Sequence, residues 1–271
     1  MNLESCRSLN LWSQFFDFAR KTQLCDRTLK WALHVMCTNY RPTARELVRE
    51  YFGNDLHFSD AEDFRSEVYP GHLAPIIRKA CDEGNPVPGL ECAGAVFGLI
   101  PIWSKDGKNY RHTYNARTET VFEKPSYRTP WKKRQFCVVP MDAFFEPNYE
   151  TGKPVRWRIE RSDQRPLLIG AIWDVWKNTQ DQWVRSFSML TINADDHPVM
   201  KQFHPPTDEK RALVMLERDQ VSDWLNATTD EAVSFFSAYP AEQLTAYAEP
   251  IPPRAKSTAP SLRTSKKTNT T

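Results

Sequence analysis

Phe136-Cys137-Val138-Val139 is a run of four apolar residues closed off by Pro140, and its reading sets the fold of the whole chain. A short apolar, partly β-branched run bounded by a turn-former reads as a buried strand. Working outward, runs of the same kind recur at 95–100, 155–159, 167–172, 187–192 and 212–216, with Pro and Gly between them. Helical signals are fewer. Thr43-Ala44-Arg45-Glu46 has the form of a capping box, and Leu47, Tyr51 and Gly53 extend it into a short amphipathic helix with a glycine stop. Asp219 is placed to cap a second helix carrying Trp224 and Leu225. Strands joined by hairpin-length loops, without β-α-β alternation, predict an α+β fold. It is a largely antiparallel, barrel-like β core, closed or nearly closed, with peripheral helices.

The chain has 271 residues, 40% hydrophobic and 26% charged, which is enough for one well-buried core. Three zones differ in composition. Residues 1–35 mix Trp12, Phe15, Phe16 and Trp31 with charges, and read as an extension that is either removed or lies upstream of the working start. They hold Glu4, Asp17 and Asp26 and no continuous apolar stretch of the signal-peptide kind. Residues 36–249 carry the dense apolar periodicity and form the domain. Residues 250–271 turn to Pro, Ser, Thr and Lys without one acidic residue, and read as a disordered basic tail. No apolar run is long enough to span a bilayer, so the expected location is the cytoplasm. The six cysteines show no C-x-x-C spacing, so reduced thiols are expected and neither a metal nor another cofactor. A formal net charge of only +2 means that any nucleic-acid surface must be a local patch.

Met36-Cys37-Thr38-Asn39-Tyr40-Arg41-Pro42 reads like the start of a protein, although it lies inside the chain. If Cys37 is the first residue, its free α-amine stands beside its own thiol. Such a pair captures an aldehyde: the amine condenses to an imine, and the thiol adds to the same carbon to close a thiazolidine ring. An amine of pKa roughly 7.7 to 8.0 and a thiol near ~8.5 are both partly available at neutral pH. The plainer reading of a lone cysteine is a small buried hydrophobe.

Downstream segments favour the chemical reading. Phe97-Gly98-Leu99-Ile100-Pro101-Ile102-Trp103, the segment 114–120 around Asn115 and Arg117, and Cys137 through Glu146-Pro147 follow in order. After them come Gly170-Ala171-Ile172-Trp173 and Gln202-Phe203-His204-Pro205-Pro206. Together with Met36-Cys37 they resemble the SRAP family of abasic-site processing proteins over about residues 36 to 250. The resemblance implies the same barrel-like architecture. It also implies a monomer that crosslinks itself through Cys37 to abasic sites in single-stranded DNA, with hydrolase-type self-processing and a lyase activity. The resemblance assigns Glu146 to proton transfer beside the Cys37 amine, and a carboxylate at an apolar rim suits that task because desolvation raises its pKa. Asn115 orients the amine and the opened sugar. His204 donates a proton to open the cyclic hemiacetal, a role that fits an imidazole near neutrality. The other histidines, His34, His57, His72, His112 and His197, read as structural. Arg117 is the expected phosphate clamp, Trp103 packs beside the lesion, and Arg134 and Arg211 are further DNA contacts.

Three positions depart from the family pattern. Asn39 stands where many members have Arg, Pro147 where they often have Trp, and Pro206 where they have an Arg after the histidine, which leaves Lys210 or Arg211 to meet phosphate. Two other functions fit the residues. One is a cysteine hydrolase built from an internal Cys37 with His204 and Asn115. The other is a non-catalytic nucleic-acid-binding barrel using Arg117, Lys132, Lys133 and Arg134.

Overall fold

The computed structural model describes residues 37–53, 56–59, 64–82 and 85–251. The expected extension 1–35 and the tail from 252 onward lie outside the described residues. The strands, in chain order, are β1 (Asn39–Pro42), β2 (His57–Phe58), β3 (Leu73–Asp82), β4 (Asn85–Phe97), β5 (Asn115–Arg117) and β6 (Phe136–Asn148). They continue with β7 (Val155–Arg161), β8 (Leu167–Lys177), β9 (Trp183–Asn193), β10 (Arg211–Leu213), β11 (Met215–Leu216) and β12 (Leu244–Ala248). Among the described residues four short α-helices lie between them: α1 (Arg45–Phe52), α2 (Arg128–Lys132), α3 (Gln220–Asn226) and α4 (Thr229–Ala232).

Five of these strands close on themselves in the order β8-β9-β4-β3-β6, with β6 returning to β8. Hairpin neighbours pair antiparallel, as expected. β3 faces β4 from Leu73↔Val96, and β8 faces β9 from Ala171↔Met189 to Lys177↔Trp183. The seam between β4 and β9 is parallel, at Val96↔Ser186 and Phe97↔Phe187, and β5 also runs parallel to β9. These strands are far apart in sequence, so no tight turn forces them antiparallel. The result is the barrel-like α+β core that the apolar runs predicted, with a mixed rather than purely antiparallel wall.

Burial explains the continuous apolar character of the runs. Every residue of β6 from Phe136 to Met141 is buried, because β8 flanks it and helix α3 packs over it, with Trp224 Nε1 donating to the Cys137 carbonyl at 2.9 Å. A strand buried on both faces has no polar alternation to show. Phe136 stacks on Trp224 with ring centroids 4.7 Å apart, and Phe97 stacks on Phe187 at 5.3 Å. Such aromatic pairs add to the area they bury.

Beyond the barrel, β6 continues to Asn148 and takes new partners. It pairs antiparallel with β1 through Asn39↔Phe145, Tyr40↔Phe144 and Arg41↔Ala143, and with β7 through Glu146↔Trp157. A register shift between Arg41 and Pro42 leaves Asp142 without a partner in β1, a bulge where β6 leaves the barrel wall.

The helix caps differ from expectation. Ala44, not Thr43, is the N-cap of α1, and no side chain caps it. Thr43 lies just past β1 but its N–H still donates to the Pro140 carbonyl of β6 at 3.2 Å, so the chain parts from β6 one residue too late for a Thr43 box. Asp219 does stand at the N-cap of α3, but its backbone is already helical and its side chain caps nothing. The capping box that does form is Thr228 with Glu231 at the start of α4.

Candidate active site

The outer half of β6 carries the candidate site. Because Asn39 lies opposite Phe145, the chain just before β1 runs past the end of β6, and the Cys37 N–H donates to Glu146 Oε1 at 2.8 Å. The other face of the same carboxylate meets a histidine. An isolated bridge pairs Asn148 with Phe203, the Asn148 amide donates to the Gln202 carbonyl at 3.2 Å, and the His204 N–H donates to the Pro147 carbonyl at 3.0 Å. These bonds bring His204 Nδ1 to 3.6 Å from Glu146 Oε2. Cys37, Glu146 and His204, separated by up to 167 positions in the chain, therefore share one carboxylate.

All three are buried, at 0%, 3% and 5% exposure. Burial disfavours the ionised carboxylate, and the Cys37 N–H only partly opposes this, so the Glu146 carboxyl is pushed up to about 8. Burial, followed by the charge of Glu146, pushes the Cys37 thiol well above its usual range. Its Sγ lies 3.9 Å from the Asn39 carbonyl. His204 adopts φ 65°, in the left-handed region that a non-glycine residue enters only at a cost of roughly 1–3 kcal/mol.

Tyr114 stands beside this cluster: burial, then the charges of Glu146 and Cys37, raise its hydroxyl pKa. Asn115 follows it at the start of β5, with its side-chain oxygen buried and its carbonyl accepting from Tyr127 Oη at 3.0 Å. Arg117, two residues on, is half-exposed and ion-paired to Glu209 at 2.8 Å. Trp103 is 55% exposed on a loop. The remaining expected cations are committed to the fold. Arg134 donates to the Ala227 and Asn226 carbonyls at 2.9 and 2.8 Å and so closes the C-terminal end of α3. Arg211 is 1% exposed and donates to Glu119, Glu209 and the Thr191 carbonyl, making it an internal clamp instead of a surface cation. Lys210, the other substitute named for phosphate contact, donates to the backbone carbonyls of His204 and Pro205.

One contact set had no local signal in the sequence. Arg156 of β7 lies 3.3 Å over the Phe145 ring and donates to Asn39 Oδ1 and Glu67, both at 2.9 Å. A guanidinium from another strand thus stands next to Asn39. Only the pairing of β7 with β6 puts it there, and that pairing spans the intervening hairpin.

Comparisons with known proteins place the chain in a family. The family model described as SOS response associated peptidase (SRAP) matches residues 36–250. The "Abasic site processing protein YoaM" of Bacillus subtilis is 28% identical over 155 residues, covering 56% of this chain and 65% of that protein. The "Abasic site processing protein HMCES" of Pongo abelii is 26% identical over 184 residues, covering 56% of this chain and 50% of that one. The match thus spans between half and two thirds of these curated relatives. Among solved structures, a protein from Bordetella bronchiseptica is 34% identical with a TM-score of 0.71, over 79% of this chain and all of the other. A protein from Bacteroides thetaiotaomicron at 22% identity shares the fold, with a TM-score of 0.61 over 78% of this chain and 91% of its own.

Proposed function

The chain belongs to the SRAP family over residues 36–250, and from that membership we propose that it processes abasic sites in DNA by capturing them covalently through Cys37 as the first residue. The observation that supports this reading best is the position of Glu146. Its carboxylate lies 2.8 Å from the Cys37 nitrogen on one side and 3.6 Å from His204 on the other, and all three residues are buried.

With Cys37 in peptide linkage that nitrogen is not nucleophilic. Hydrolysis of the Met36–Cys37 bond, by removal of an initiating Met or by self-cleavage of a longer precursor, turns the same atom into an amine. The released ammonium then faces Glu146, whose carboxylate takes its proton. A carboxylate within hydrogen-bond reach of the ammonium suits this transfer. His204 protonates the ring oxygen of the closed sugar, the C1′–O4′ bond breaks, and the C1′ hydroxyl gives up its proton to recharge the imidazole, which leaves the C1′ aldehyde. The amine adds to C1′, Glu146 returns the proton to the departing hydroxyl, and one water leaves as the imine forms. The Cys37 sulfur then bonds to the imine carbon and its proton passes to the nitrogen. The product is a thiazolidine, and the net by-product is that one water. The imine is also the entry to lyase chemistry, which ring closure diverts.

Asn115 orients the amine and the opened sugar, Arg117 holds a flanking phosphate, and exposed Trp103 packs where the base is missing. Single-stranded DNA is the preferred substrate, because a missing base leaves a flexible, unstacked gap there. The protein acts as a cytoplasmic monomer. Among the described residues no helix is long and apolar enough to cross a membrane.

The deciding experiment mixes protein that starts at Cys37 with single-stranded DNA bearing one abasic site. A shifted band that survives denaturant without borohydride is expected, and Cys37→Ser should abolish it because an oxygen analogue closes a more labile ring. An equally durable Cys37→Ser crosslink would remove the thiol from the mechanism. Intact-mass analysis of the working protein should show Cys37 first. Activity in protein that keeps residues 1–35 would favour the cysteine-hydrolase reading instead.

A further inference from the structure

We infer that Lys210 is a positioning residue for His204, and that its ammonium serves the protein backbone in place of DNA phosphate. The inference rests on the function proposed for His204, but its geometry stands apart from that function. His204 holds φ 65° immediately before Pro205. Few residue types favour the left-handed region, and a following proline restricts the backbone further toward extended conformations. Left to local preference, this segment would relax and carry the imidazole away from Glu146.

Two sets of bonds hold it. On the N-terminal side, the His204 N–H is tied to the Pro147 carbonyl of β6 at 3.0 Å. On the C-terminal side, Lys210 Nζ donates to the His204 carbonyl at 3.2 Å and to the Pro205 carbonyl at 2.5 Å. Lys210 is itself fixed at both backbone groups. Its N–H donates to Asp195 Oδ1 at 2.7 Å, and its carbonyl accepts from the Ala194 N–H at 2.8 Å. The ammonium is therefore a cation held at the end of β9, gathering two carbonyls of the strained turn. A cation hydrogen-bonded to carbonyl oxygens makes stronger bonds than a neutral donor, so Lys210 suits a turn that must not open.

The two candidate roles of Lys210 predict opposite results. The first measurement is amide hydrogen exchange in the full chain, which needs no DNA. Lys210→Met should speed exchange of the His204 N–H by on the order of 10-fold or more, while the Val138 N–H in the barrel keeps its rate. Lys210→Arg, which retains the donors, should restore protection. The second measurement is crosslinking to abasic single-stranded DNA with Cys37 exposed. Lys210→Met should lower the saturated rate on the order of 10-fold, through misplacement of His204. The half-saturating DNA concentration and the salt dependence should stay as in the parent.

Unchanged His204 exchange in Lys210→Met would overturn the inference. So would a salt slope reduced by about 0.7 with an unchanged saturated rate, which is the signature of a lost phosphate contact to a single strand. If Lys210→Met loosens the barrel as well, Lys210→Arg decides, and its failure to restore protection counts against the clamp. A parent protein that forms no crosslink at all would refute the capture chemistry, and the exchange measurement would still settle the clamp.

Discussion

Glu146→Gln should stabilise the full chain at alkaline pH and leave it nearly unchanged in acid. In the folded protein with Cys37 in peptide linkage, burial raises the Glu146 carboxyl from an ordinary 4.5 to about 8. Between these values the folded state keeps a proton that the unfolded chain releases. The parent is thus at full stability below about pH 4.5, loses stability as pH rises, and has lost all of this contribution above about pH 8. At about 1.4 kcal/mol per pH step, the loss at pH 9 is on the order of 5 kcal/mol. Gln carries no charge to bury, and its side-chain oxygen still accepts the Cys37 N–H. Urea unfolding of parent and variant at pH 5, 7 and 9 should therefore give stabilities within about 1 kcal/mol at pH 5, with the variant ahead by about 3 kcal/mol at pH 7 and further ahead at pH 9. Parallel pH profiles, differing by less than about 0.5 kcal/mol throughout, would refute the argument that desolvation dominates this site. Exposing Cys37 should erase the divergence, because an ammonium 2.8 Å from Oε1 replaces a neutral N–H and pulls the carboxyl back down.

Arg211→Met should cost about 2 kcal/mol in urea unfolding, since it removes charge-assisted bonds from a buried guanidinium to Glu119 and Glu209, while the Thr191 carbonyl keeps the Thr118 N–H as a donor at 3.0 Å. It should leave the salt dependence of DNA binding unchanged, and a lower slope would return Arg211 to the phosphate surface. Arg117→Ala should weaken binding to abasic single-stranded DNA, flatten its salt slope by about 0.7 and leave the saturated crosslinking rate near that of the parent. Unaltered affinity would mean that Glu209 keeps Arg117 to itself.

Much of the fold was legible because its strands are buried on both faces. Four of the six apolar runs fall within a strand, the run 95–100 overruns the end of β4, and the run 212–216 is divided between β10 and β11. The barrel strand β3 fell outside the six runs, its apolar stretch interrupted by Arg78 and Lys79, and β1, β5 and β12 were not legible either. They are short, contain Asn, Arg or Thr, and owe their extended form to a partner strand instead of to their own composition. The site divides in the same way. Cys37, Glu146 and His204 were named from motif resemblance, but nothing local showed that one carboxylate would meet both other groups. Arg211 illustrates the limit. A lone Arg near a histidine motif reads as a surface cation, and only the folded chain reveals two carboxylates and a carbonyl closing around it. The Thr43 box failed for a related reason: a cap needs the chain to have left the sheet, and sequence does not mark where the sheet ends.

The continuity of β6 makes it a ruler whose graduation is the single residue. The same 13-residue strand aligns against β8 at its start, β1 in its middle and β7 at its end. Side chains alternate along a strand, so losing or gaining one residue between Phe136 and Glu146 would turn the carboxylate to the opposite face while every upstream pairing survived. The loop at 149–154 has no such constraint. Length changes among natural variants of this protein should accumulate in that loop and stop abruptly at the strand, and the offset at Asp142 should be inherited as strictly as the identity of Glu146 itself.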